Sequence, residues 1–269
     1  MRHRLVLMCV AALGLLHGSN AGAQTGFTTV RFMVGGEPRW AGLWVPPDAP
    51  SGTNRPLIVY LHGGSGRGES RDSRAVQEWL TSLEVAKAIQ EHPERFPALV
   101  LMPRLPAGAY WTPVLPGSWA PDAVTRRTSD TVGVVELNAA IDAVLAGYSV
   151  DRARISLTGK SLGGGGTYGF AALHPDRFSA IAPVAGFGSQ EQARAVASIP
   201  AWVFHGDADT TIPSENAHKM VRAIQDAGGS VRFTEYPGVT HSSAEVERRT
   251  YRDPEVISWL LAQRRSAKP

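Results

Sequence analysis

The residues of this chain best suited to chemistry are Gly159-Lys160-Ser161-Leu162-Gly163, which follow the β-prone run Ile155-Ser156-Leu157-Thr158. A serine between two glycines, placed where a strand gives way to a helix, reads as a nucleophile elbow. Such a turn leaves the hydroxyl exposed, and a Cβ at either flanking position would collide with the turn. The pentapeptide alone is weak evidence, because a chain with 28 glycines can produce it by chance. Gly-Lys-Ser also looks like the end of a phosphate-binding loop. The residue five positions before Gly159 is Arg154, where that loop needs glycine, so the phosphate cradle cannot form.

A serine hydroxyl needs a base to take its proton, a carboxylate to orient that base, and donors for the oxyanion that forms on attack. In one widespread arrangement these follow in the order serine, acid, histidine, each after a strand. Beyond residue 23 the histidines are His62, His92, His174, His205, His218 and His241. His241 is the best base, since Tyr236-Pro237-Gly238-Val239-Thr240 delivers it from the end of the last β-prone run. Asp209 is the best acid. It lies in His205-Gly206-Asp207-Ala208-Asp209, which turns off a buried run, and its longer excursion lets the carboxylate reach the imidazole. Asp207 is the rival, expected instead to bond the turn backbone. A metal held by His205, Asp207 and Asp209 is the other reading of this cluster, without support from any paired histidine at helical spacing. The oxyanion donors are expected to be the backbone N–H groups of Leu162 and of Gly64 in His62-Gly63-Gly64-Ser65-Gly66, with Gly63 and Ser65 as neighbouring alternatives. His62 and His205 read as supports for their turns, and Lys160 as a solvated or ion-paired side chain.

These residues need elements to hold them. Apolar β-type runs at 27–34, 39–45, 57–61, 99–102, 155–157, 180–184, 201–204 and 231–236 alternate with helical patterns at 73–91, 130–146, 162–173, 213–227 and 254–263. The first two runs flank Gly35-Gly36 as an antiparallel pair. The continuous apolar runs are of the kind buried on both faces of a parallel sheet. The pattern predicts an α/β fold, an eight-stranded, mostly parallel, doubly wound sheet with an antiparallel N-terminal pair and ligands at the strands' carboxyl ends. The stretch 105–129 breaks the rhythm, being rich in Pro, Gly and Trp, and is expected to wall the substrate site through Trp111 and Trp119.

Residues 1–23 read as a secretory signal, with Arg2 and Arg4, an apolar run at 5–16, and Ala21-Gly22-Ala23 before the cleavage point. Residues 24–269 then form one domain, secreted or periplasmic, with no membrane anchor. The only cysteine, Cys9, leaves with the signal, so disulfides and cysteine metal sites are excluded. Loss of the two arginines takes the formal charge from +3 to +1, a balance that argues against nucleic-acid binding.

Taken together, Leu57-Ile58-Val59-Tyr60-Leu61-His62-Gly63-Gly64, the Ser161 elbow, the 205–209 turn and Thr234-Glu235-Tyr236-Pro237-Gly238-Val239-Thr240-His241 resemble secreted α/β-hydrolases. The nearest groups are predicted serine peptidases and the carboxylesterases like feruloyl esterase and polyhydroxybutyrate depolymerase. The resemblance implies the α/β-hydrolase fold, with nucleophile at Ser161, acid at Asp209 and base at His241. Two departures bear on substrate: Lys160 stands where an apolar or aromatic residue is common, and Ser242-Ser243-Ala244 where an aromatic often follows the histidine. The expected activity is hydrolysis of a small-molecule or polymer-linked carboxylic ester, with no cofactor and no metal. A serine peptidase with the same residues is the alternative, and a non-catalytic binding protein on this fold is the rival from another class. Peptidases of this fold usually restrict access with an added domain, for which this chain is short.

Overall fold

A strand that is apolar on both faces must be covered on both faces, and the chain achieves this with two layers of helices. The computed structural model describes residues 26–47, 52–114, 118–120 and 131–265. The signal expected at 1–23 lies outside them. The strands are β1 (Gly26–Val34), β2 (Glu37–Val45), β3 (Arg55–Leu61), β4 (Leu99–Met102), β5 (Val150–Lys160), β6 (Ala180–Val184), β7 (Ala201–Gly206) and β8 (Val231–Tyr236). They form one sheet in the order β1-β2-β4-β3-β5-β6-β7-β8. β1 and β2 form an antiparallel hairpin, β2 is antiparallel to β4, and the remaining neighbours are all parallel. Gly35 and Gly36 close the hairpin at φ 58° and 83°, the left-handed geometry that a two-residue turn between twisted strands requires.

The connecting helices are α1 (Ser73–Leu80), α2 (Glu84–Glu91), α3 (Val132–Gly147), α4 (Leu162–Leu173), α5 (Gln190–Val196), α6 (Glu215–Asp226), α7 (Glu245–Arg252) and α8 (Pro254–Ala262). Alternate strand residues face opposite layers. Leu57, Val59, Leu61, Leu101 and Leu157 pack in a core shared with α3 to α6. Ile58, Tyr60, Val100, Met102 and Phe204 pack in a second core with α1, α2, α7 and α8. β3 sits between β4 and β5, so the chain leaves its carboxyl end toward one layer while β5 feeds the other. That reversal opens a crevice at the ends of β3 and β5, where open sheets of this type bind ligands.

Three local features depart from the sequence pattern. The helix expected over 73–91 is broken. The Ser82 hydroxyl donates to Trp79 O at 2.7 Å and the Thr81 hydroxyl to Glu78 O at 2.8 Å, capping the carbonyls that continued helix would use. Two helices, α5 and α7, had no anticipated counterpart. The Ser189 hydroxyl caps α5 by accepting from Gln192 N at 3.2 Å. In α7, buried Val246, Glu247, Thr250 and Tyr251 form a true stripe, but half of it is glutamate and threonine.

Candidate active site

β5 ends at Lys160 and α4 begins at Leu162, leaving Ser161 alone in the turn at φ 58° and ψ −116°. Among the described residues only Ala185, at φ 45° just past β6, is another non-glycine with positive φ. Both strained residues therefore sit at one place, the end of the β5 and β6 strands, and each costs on the order of 1–3 kcal/mol. Hydrogen bonds hold the serine there: Ser161 N donates to Val184 O, and Gly165 N to Ser161 O, each at 2.9 Å. The elbow also needs α4 pressed hard against β3. A Cβ on Gly163 would lie 1.9 Å from Leu61 O, and one on Gly159 would lie 2.5 Å from the same oxygen.

Ser161 Oγ lies 2.7 Å from His241 Nε2, and His241 Nδ1 lies 2.6 Å from Asp209 Oδ2. A carboxylate on Nδ1 fixes the tautomer that carries hydrogen there, so Nε2 is free to accept from the serine hydroxyl. Asp209 is itself held on both oxygens. Its Oδ1 accepts from the backbone of Thr211 at 2.9 Å and of Ile212 at 2.8 Å. Its Oδ2 also faces His205 Nε2 at 3.3 Å, whose hydrogen is shared with Ile212 O at 2.8 Å. Burial opposes the charge on this carboxyl, but hydrogen bonds from His205, His241 and the Ile212 amide outweigh it and hold Asp209 well below the usual carboxylate range. Asp207 points elsewhere. Its Oδ1 accepts from Gly238 N at 2.6 Å, joining the turn after β7 to the turn that delivers His241.

The turn after β3 faces the serine: a Cβ on Gly63 would lie 3.5 Å from Ser161 Cβ. Side chains hold this glycine-rich segment. His62 is buried, its Nδ1 donating to Gly63 O at 2.6 Å and its Nε2 accepting from Leu105 N at 3.0 Å. Burial, opposed by the bond to Gly63 and aided by Arg104 and Arg67, lowers the His62 pKa to about 4, so this imidazole is neutral. Arg67 Nε donates to Gly64 O at 3.0 Å and Arg104 Nε to Gly66 O at 3.1 Å. The amide of Leu162 opens α4 and, like every first-turn amide, has no acceptor within its own helix.

A cleft of about 760 Å³ runs past Ser161, His241 and the 63–66 turn. Among the described residues, Trp111 and Trp119 are not in its wall. Trp111 is 1% exposed, and its Nε1 donates to His62 O at 3.0 Å, so it supports the turn from beneath instead of presenting a ring to a ligand. Trp119 packs half-buried against the core, with its amide donating to Gly188 O at 2.8 Å. Of the segment 105–129, residues 115–117 and 121–129 lie outside the described ones. The wall instead contains Tyr60, Trp79, Lys160 and Glu247, of which sequence reasoning singled out Lys160 alone. The stripe 246, 247, 250, 251 was the signal for Glu247. Among the described residues no cluster of three or more His, Cys, Asp or Glu side chains stands close enough to hold a metal ion.

The neutral burial of His62 has a consequence for stability. Its folded pKa lies below that of a free histidine, so the unfolded chain binds more protons between about pH 6.5 and 4, and stability is lost as pH falls through that window. The group contributes up to about 3 kcal/mol to that loss. Urea unfolding at pH 7 and pH 4 is therefore expected to show a smaller stability difference in His62→Gln than in the wild type. An equal difference in the two proteins would contradict it.

Comparison with known proteins agrees with this architecture. No curated protein sequence matches the chain. A thermostable esterase of known structure aligns with a TM-score of 0.69 and 27% identity, covering 89% of this chain and 63% of its own. The fluorophosphonate-binding serine hydrolase F of Staphylococcus aureus aligns with a TM-score of 0.61 and 16% identity, over 88% of this chain and 99% of its own. The acylaminoacyl peptidase of Pyrococcus horikoshii aligns with a TM-score of 0.61 and 14% identity, over 92% of this chain but 43% of its own. The chain thus spans less than two thirds of the length of the esterase and of the peptidase, and the likenesses below 25% identity show the α/β-hydrolase fold. The sequence profile of the dienelactone hydrolase family matches residues 119–259, more than half of the chain and inclusive of Ser161, Asp209 and His241, and the chain belongs to that family.

Proposed function

We propose that this protein is a serine hydrolase that cleaves carboxylic esters through a covalent acyl-enzyme. Ser161 Oγ attacks the ester carbonyl while His241 Nε2 takes its proton. The amides of Leu162 and Gly64 hold the resulting oxyanion, a role in which one donor is worth about 2.7–4 kcal/mol. The intermediate collapses, the C–O bond to the alcohol breaks, and His241 returns the proton to the departing oxygen. Water then repeats the sequence on the acyl-enzyme, releasing the carboxylic acid and restoring Ser161. Asp209 orients the imidazole and stabilises its charged form throughout. Side chains and backbone amides carry every step.

One observation carries this reading: the unbroken chain of contacts at 2.7 and 2.6 Å from Ser161 through His241 to Asp209. It also argues against a non-catalytic binding protein, which would have no need of a strained serine aligned on an oriented imidazole. Esterase is favoured over peptidase because the thermostable esterase is 27% identical to this chain, against 14% for the acylaminoacyl peptidase. The substrate is a small-molecule or polymer-linked ester reaching the cleft from solvent. Residues 1–23 are read as a leader removed on export to the periplasm or beyond, with Gln24 at the mature start.

Turnover of p-nitrophenyl butyrate tests the mechanism. Ser161→Ala and Asp209→Asn should each lower kcat on the order of 10⁴-fold or more with unchanged circular dichroism, and Asp207→Asn far less. Retained activity in Ser161→Ala would refute the assignment. N-terminal sequencing of the exported protein should begin at Gln24, and a mature chain beginning at Met1 would contradict the leader.

A further inference from the structure

Lys160 is unusual for a residue so close to a nucleophile. It is the last residue of β5, its side chain is only 15% exposed, and it lines the cleft beside Ser161. An ammonium has three hydrogens to donate. Here the nearest acid oxygen, Glu247 Oε2, stands 3.8 Å away, and among the described residues the Lys160 ammonium makes no hydrogen bond. The pair is too far apart to be satisfied by itself. Glu247 cannot close the gap freely, because its Oε1 is already taken by the Tyr60 hydroxyl at 2.6 Å. Burial also raises the Glu247 pKa, against the opposing pull of Lys160 and Tyr60, which weakens its value as a counter-charge.

The other charges of this wall are already matched. Glu84 receives Lys87 at 2.8 Å, Arg252 at 3.0 Å and Arg248 at 3.7 Å. Arg252 in turn bridges to Glu91 at 2.6 Å. That leaves Lys160 as the cation of the described cleft wall whose ammonium makes no hydrogen bond, whereas Lys87 is bonded to Glu84.

Lys160 is tied to the histidine side of the cleft through Glu247, 3.8 Å away in the helix that follows His241. Ser242, Ala244 and Glu247 follow His241 in the chain and share the wall with Lys160. In ester hydrolysis the leaving oxygen takes its proton from the histidine, so the alcohol half departs on the histidine side. This inference rests on the ester reading above. We propose that Lys160, held in place by Glu247 and Tyr60, is a specificity-determining residue that binds a carboxylate on the alcohol half of the ester. The preferred substrates are then acylated hydroxy acids. Hydrolysis adds one water across the acyl C–O bond and yields a carboxylate, a free hydroxy acid and one proton. The partly desolvated ammonium gains the charge-assisted bonds it lacks when such a substrate binds.

The test compares O-butyryl-lactate with O-butyryl-lactamide, which share the scissile ester and differ in the negative charge. The wild type should turn over the acid with kcat/KM at least tenfold above the amide. Lys160→Met should bring that ratio to about one, and Lys160→Arg should keep most of it. A wild-type ratio below tenfold, or a ratio that survives in Lys160→Met, overturns the inference. Because the first criterion uses the wild type alone, a poorly folded variant does not rescue it. Turnover of p-nitrophenyl butyrate that is lost in Ser161→Ala would leave the ester reading standing when the ratio fails or neither lactyl compound is turned over, whereas no turnover of any of the three overturns both.

Discussion

The structure depends on one line of hydrogen bonds, from the Ser161 hydroxyl through the His241 ring to the Asp209 carboxylate. Its members come from the ends of three strands, and contacts of this length survive only if all three ends are fixed together. Parallel pairing from β5 to β8 brings those ends to one edge of the sheet. Finer placement comes from outside the sheet. Asp207 ties the turn after β7 to the turn that carries His241. The missing side chains of Gly159 and Gly163 let α4 lie against the Leu61 carbonyl, which aims Ser161 outward.

The Asp209 carboxylate shows how the opposing terms balance. A buried charge with no partners is costly, by several kcal/mol even after relaxation. Here two backbone amides and two imidazoles surround it, and bonds to a charged acceptor contribute roughly twice what neutral ones do. The attraction wins, so the group stays ionised and the imidazole stays oriented. His62 shows the opposite outcome. Among the described residues no acid bonds to it, both ring nitrogens are bonded to neutral backbone groups, and desolvation drives it to the uncharged form. Two turns that each open on a buried histidine thus do different work, one holding charge at the site and one holding the glycine segment that faces it.

Much of this was legible in the sequence because it is local. Runs such as 57–61 and 99–102 are apolar at every position, which identifies strands covered on both faces. A serine between glycines after a strand, with an acid and a histidine after later strands, marks the chain positions that the structure brings into contact. What was not legible depends on distant partners. The type of Trp111 does not reveal whether its ring faces a ligand or, as here, a buried backbone carbonyl. Glu247 sits in a highly charged helix in which only two of the four buried positions, Val246 and Tyr251, are apolar, and its partner Tyr60 is far away in the chain. The break at Ser82 came from hydroxyls bonding their own backbone, which competes with helix without changing the periodic pattern.

The central claim is that Ser161 is the nucleophile because His241 and Asp209 make it one. Its most direct measurement is peptide mapping by mass spectrometry after treatment with a fluorophosphonate. The account predicts a single phosphonyl adduct per chain, on Ser161, formed far more slowly in Asp209→Asn. An adduct on any other residue, or labelling of Ser161 at the same rate in that variant, would contradict it.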